Sequence, residues 1–145
     1  MLVAAAISAS FECDNPIDAL NAGLTQIPPE CRVATSVREA LSACERFSTW
    51  DATIEWILNR WQQFASGHVL RNLPILVAGL AWGDGDLEPT ITKVVMSGMD
   101  TDSNAAMAGS ILGAIKGFLG FFQGCQRLVQ GCIFMYRCIL FKGHH

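Results

Sequence analysis

Apolar positions recur at helical spacing through most of this 145-residue chain, and no stretch alternates long enough to mark a strand. Residues 2–12 read as a buried, alanine-rich helix with no start signal before it. Asp14, Asn15 and Pro16 supply a cap and a first-turn proline for a helix that stops near Gly23. Ile27-Pro28-Pro29 then makes a turn between helices. From Glu30 onward Val33, Val37, Leu41, Cys44 and Phe47 form one apolar stripe, and Arg38, Glu39, Glu45 and Arg46 form its solvated face. Thr49 caps the next helix, where Trp50, Ile54, Ile57, Leu58, Trp61 and Phe64 line one side as core. His68 begins a helix that is apolar through Trp82 and therefore buried, and Asp86 caps another over 87–97. A final helix starting near Ser103 carries Ala105, Gly109, Gly113 and Gly117 every fourth residue. Each internal glycine costs about 1 kcal/mol relative to alanine, so this smooth side predicts close backbone approach. The pattern predicts an all-α fold of five or six helices packed at varied angles.

Composition narrows the classes. With 51% hydrophobic and only 16% charged residues the chain is not disordered, and its length suffices for one domain with a core. A net charge of −3 argues against nucleic acid as the main partner. Residues 1–102 hold all 13 acids, whereas residues 103–145 hold four bases and no acid, which points to two segments of different character. The six cysteines form no CxxC pair. Cys31 and Cys44, placed on one helix about 20 Å apart, cannot bridge each other. Free thiols in a reducing cytoplasm are therefore expected. MLVAAAISAS lacks the basic n-region of a signal peptide, and no run reaches about 18 uncharged apolar residues, so a membrane span is not expected. Residues 118–145 are apolar and basic, as in interfacial helices, but Gly120, Gly124 and Gly131 weaken a continuous amphipathic helix there. Cys132, Cys138, His144 and His145 fit no standard zinc spacing.

The chemistry concentrates in Ser97–Lys116. Asp100 and Asp102 sit two apart and Ser103 follows directly. In an extended turn residues i and i+2 point the same way, so both carboxylates can face one centre. Hard oxygen ligands of this kind suit magnesium, calcium or manganese. The same residues also read as N-caps for the free amides of the following helix. Gly83-Asp84-Gly85-Asp86 looks somewhat like a calcium loop but lacks the later ligands and terminal Glu. His68 reads as a cap, a surface group or a substrate contact.

The run SGMDTDSNAAMAGSILGAIKG resembles the C-terminal signature of the ADP-ribosylglycohydrolase family: a Gly-rich turn, Asp-x-Asp-Thr or a close variant, then a small-residue helix. CDNPIDALNAGLTQIPPECRVATSVREAL resembles the family's Asp-Pro helix running into an Ile-Pro turn, and His68–Pro74 resembles the segment before its metal turn. Ser97 and Met99 stand where the family more often has Gly, and Gly or Trp. Ser103 replaces a usual Thr or Cys, keeping the oxygen of Thr. The resemblance covers about residues 1–117, the C-terminal half of a family domain, and leaves 118–145 as a tail outside it.

It implies an orthogonal helical bundle with a pair of magnesium ions, for which Asp100, Asp102 and Ser103 are ligands. Gly98 and His68 are candidate substrate contacts, and no catalytic residue is assigned. The implied activity is hydrolysis of the glycosidic bond between ADP-ribose and an acceptor, the partner being ADP-ribose or an ADP-ribosylated protein. No Thr-Asp-Asp-Thr-like run occurs, so the family's N-terminal metal motif is expected to be missing and that half to be needed for activity. The alternative is a non-enzymatic chain: an inactive fragment, or an interaction module on a degenerate hydrolase half.

Overall fold

The computed structural model describes the backbone of residues 1–141 and the side chains of 1–117 and 119–131. Cys132, Cys138, His144 and His145, weighed above for zinc, lie outside the described side chains. Among the described residues seven helices follow in order: α1 (Leu2–Ala9), α2 (Pro16–Leu24), α3 (Arg32–Arg46), α4 (Trp50–Arg60), α5 (Val69–Trp82), α6 (Leu87–Met96) and α7 (Thr101–Phe141). No strand occurs among the described residues. The protein is all-α.

Local signals account for most helix starts. Asn15 Oδ1 accepts the Ile17 N–H at 2.8 Å with Pro16 in the first turn, and Thr49 Oγ1 accepts the Ala52 N–H at 3.3 Å. Cys31 caps α3 through its sulfur, which accepts the Ala34 N–H at 3.4 Å. The ends differ from the pattern in two places. α1 stops at Ala9 rather than near residue 12, because the Ser10 hydroxyl donates to the Ala6 carbonyl at 2.8 Å and closes the last turn. α4 stops at Arg60, after which Trp61 turns inward and Phe64 folds back to stack on it at 6.1 Å.

α5 is the centre. From Asn72 to Leu80 it is buried without interruption, and α2, α3, α4, α6 and α7 all pack against it. Its Leu73, Leu76, Val77 and Leu80 meet Leu20, Val37, Ile57, Ile111 and Leu112 in one apolar cluster. Fully burying side chains of this size is worth about 1.5–3 kcal/mol each, so a site at the ends of α5 is supported by a deeply packed helix.

α7 has two limbs joined at Gly117, whose φ of 64° and ψ of −177° break the helix. The first limb buries Asn104, Ala108, Ile111 and Leu112. The second limb lies along α6, and Gly120, Gly124 and Gly131 do not interrupt it. The smooth side of the first limb is not closed by backbone. It faces a groove of about 550 Å³, bordered by Leu87 and Ile91 of α6 and by Phe121, Cys125 and Leu128 of the second limb.

Candidate functional site

The turn between α6 and α7 places the two predicted carboxylates. Ser97 ends α6, its hydroxyl donating to the Lys93 carbonyl at 2.7 Å. Gly98 (φ 76°) and Met99 (φ 64°) then take left-handed conformations that reverse the chain. Glycine does so freely, whereas the side chain of Met99 makes the same geometry cost about 1–2 kcal/mol. Two ties from outside the turn offset that cost: the Met99 side chain packs against the apolar core, and the Asp100 N–H donates to Asn72 Oδ1 at 3.1 Å, 28 residues back in sequence.

α7 begins at Thr101, two residues before Ser103. The Asn104 N–H reaches the Asp100 carbonyl at 3.0 Å, so the first helical bond already includes Asp100, and Asp102 and Ser103 fall within the first turn. Asp100 is half-buried, while Asp102 and Ser103 are exposed. A hydrogen bond from the protonated Asp100 carboxyl, followed by the backbone N–H groups of Asp102 and Ser103, favours the ionised Asp102 carboxyl and lowers it from its ordinary 3.8. When both groups are ionised the same proximity sets two negative charges against each other.

His68 caps α5 through Nδ1, which accepts the Leu70 N–H at 3.1 Å, and its ring stacks on Phe64 at 4.4 Å. Its carbonyl accepts from Asn72 Nδ2 at 3.2 Å, so His68 and the carboxylate turn are joined through one amide. No atom lies within 4 Å of where a Cβ on Gly98 would sit, so this glycine shapes the turn through its φ rather than by close contact. A cavity of about 430 Å³ opens beside Asp100, walled by Ile27, Pro28, Cys31 and Val69, with Asn72 and Asn104 at its polar end.

Asn72 and Asn104 were missed at the level of sequence. Asn104 Nδ2 donates to Asn72 Oδ1 at 3.0 Å, and both side chains are buried. A signal existed: Asn72 follows directly on the start of a helix read as buried, where a polar amide needs partners. The partners were not readable, since they lie 28 and 32 residues away. The second acidic loop has a different setting. Asp86 starts α6 without a side-chain cap and instead pairs with Lys116 at 3.2 Å on the surface. Among the described residues no group of three or more His, Cys, Asp or Glu is arranged to hold a metal ion.

A family model described as ADP-ribosylglycohydrolase matches residues 1–132. The chain belongs to the ADP-ribosylglycohydrolase family. Neither the curated proteins nor the solved structures gave a match. The ADP-ribosylglycohydrolase match takes in the Asp-x-Asp turn, the whole first limb of α7 and, past Gly117, the start of the second limb. Membership makes this a hydrolase-like protein of a family whose substrates are ADP-ribosylated. Among the described residues no helix is long and apolar enough to cross a membrane.

Proposed function

We propose that this ADP-ribosylglycohydrolase-family chain serves hydrolysis of the glycosidic bond between ADP-ribose and an acceptor, with Asp100, Asp102 and Ser103 forming one side of a magnesium site. The observation that carries the reading is the tie of the Asp100 backbone to the buried Asn72 amide, which anchors in the core a turn that carries Asp100, Asp102 and Ser103 in succession. The donor set fits magnesium in kind, being two carboxylates and a hydroxyl, all hard oxygens. It is short in number, because no third acid joins the pair among the described residues. Further ligands, like those of the family's N-terminal half, complete the proposed site.

Bound magnesium would supply positive charge where negative charge develops during cleavage. The chain's own residues do the rest. Asp100, its backbone fixed to Asn72, and Asp102, two residues on in the first turn of α7, present two carboxylates to a cation. Gly98 keeps the turn open to substrate. His68, whose Nδ1 is committed to the Leu70 N–H, keeps Nε2 as the nitrogen able to face a ligand. Ile27, Pro28 and Val69 give one side of the cavity an apolar lining. Cys13, Cys31, Cys44 and Cys125 are free thiols, which suits a reducing, cytoplasmic setting.

The test is release of ADP-ribose from a modified protein in magnesium buffer. The 145-residue chain alone is expected to release none, and adding the N-terminal half of a related enzyme to restore turnover. Asp100→Asn or Asp102→Asn then abolishes it. Metal-dependent turnover by the chain alone would place the missing ligands among residues read here as caps. Absence of turnover in both arms, with no metal binding, leaves the non-catalytic interaction module.

A further inference from the structure

Asn72 has no role in the reading of the sequence, yet the carboxylate turn hangs from it. It sits in the first turn of α5, with its side chain buried. Its Nδ2 donates to the carbonyls of Ser66 and His68, and its Oδ1 accepts from the Asp100 N–H at 3.1 Å and from Asn104 Nδ2 at 3.0 Å. Two donors and two lone pairs are all used, which is the full capacity of an amide. The orientation admits no flip: a reversed amide would aim its NH2 at the Asp100 N–H, donor against donor. Asn104 is fixed in the same way, since its NH2 must face Asn72, and its own Oδ1 is left buried without a partner beside the cavity that Asp100 lines.

We propose that Asn72 is the positioning residue of the carboxylate turn: by holding the Asp100 N–H and the Asn104 side chain from α5, it sets Asp100 and Asp102 as a pre-formed pair for a divalent cation. The inference rests on the metal reading of Asp100 and Asp102 above. Its physical basis is the conflict within the turn. Met99 is held at a φ of 64°, a conformation that relaxes unless something beyond the turn maintains it. The bond between Asn72 and the Asp100 backbone is a long-range hydrogen bond into that turn, and it ends on the helix that is most deeply buried among the described residues. Without it the Asp100 N–H loses its tie to α5, and the turn that carries the carboxyl is less constrained. Outer partners that orient metal ligands typically change affinity by about 10–100-fold when removed, without touching the metal themselves.

The experiment uses the full chain and manganese ion as a paramagnetic probe, read by broadening of the Asp100–Ser103 amide signals in nuclear magnetic resonance. Asn72→Ala is compared with Leu76→Ala, which truncates a fully buried neighbour on the same helix away from the turn, and Asn72→Ser serves if the alanine variant does not fold. Asn72→Ala is expected to weaken manganese binding about tenfold and to speed hydrogen exchange of the Asp100 amide about tenfold. Leu76→Ala is expected to lower the melting temperature at least as far while leaving both readings within about twofold of the parent chain. Overturning results are equal changes in both variants, or a lowered melting temperature for Asn72→Ala with both readings unmoved. If manganese fails to broaden these signals in the parent chain, the metal reading falls. The positioning role is then judged by Asp100 amide exchange alone, standing if only the Asn72 variants accelerate it and failing otherwise.

Discussion

Two turns in this protein carry Asp-x-Asp, and each leads into a helix. Asp84-Gly85-Asp86 precedes α6 and Asp100-Thr101-Asp102 begins α7. Both contain left-handed residues: Asp84 at φ 50° and Gly85 at 72° in one, Gly98 at 76° and Met99 at 64° in the other. What separates them is where their backbone donors go. The Asp86 N–H bonds locally to the Gly83 carbonyl at 2.9 Å, and its carboxylate meets Lys116 at the surface. The Asp100 N–H instead reaches a buried amide on the central helix. One acidic turn is therefore tied to the central helix, whereas the other is held by bonds within its own helix start, such as that from the Thr90 hydroxyl to the Asp86 carbonyl at 2.6 Å, and by an exposed cation. Identical spacing yields a candidate site in the first case and a solvated loop in the second.

The largest expected difference lies at the buried anchor. Asn104→Ala removes one bond to Asn72 and leaves a small cavity, which together cost about 2–3 kcal/mol in urea unfolding. Asp86→Asn, at the surface turn, is expected to stay within about 0.5 kcal/mol. Similar losses for the two would dissolve the contrast between a core-anchored and a solvated turn.

A matched pair of glycines comes next. Gly98→Ala and Gly85→Ala each force a side chain into a left-handed conformation with open space around it, and each is expected to cost about 1 kcal/mol. Thermal melts should shift alike, yet the Gly98 variant alone should alter manganese broadening at Asp100. If both variants, or neither, change that signal, the two turns do not differ in the way described.

Lys116→Gln tests the surface tie. The ion pair with Asp86 is exposed, so its loss should cost less than about 1 kcal/mol and become undetectable at about 1 M salt. A salt-independent loss larger than this would show that the second acidic turn is anchored after all.

The smallest effect concerns pH. Because the folded Asp102 carboxyl titrates below its ordinary 3.8, its contribution is present above that value and is lost as pH falls through the depressed one. Between about pH 6 and about pH 2 the parent chain should lose slightly more stability than Asp102→Asn. Asp102 is fully exposed, so the difference is small. An Asp102→Asn chain with the steeper acid loss would reverse the sign and remove the pairing with Asp100.

The helices were legible because periodicity and capping are local. Asn15 with Pro16, and Thr49, announce α2 and α4 within three residues of the bonds they make. The Asp-x-Asp turn and its small-residue helix were legible too, since a motif within a few residues needs no knowledge of the rest of the chain. Ends were less so: Ser10 closing α1 on Ala6, and Asp100 drawing the start of α7 back to Thr101, follow from single hydrogen bonds that periodicity does not register. Three decisions belonged to the tertiary structure alone. It chose which acidic turn is anchored, it joined Asn72 to Asp100 and Asn104, and it laid the limb after Gly117 along α6. Each depends on contacts between residues far apart in sequence. Such pairings form when the packed core brings their elements together, so no local pattern of residue types records them.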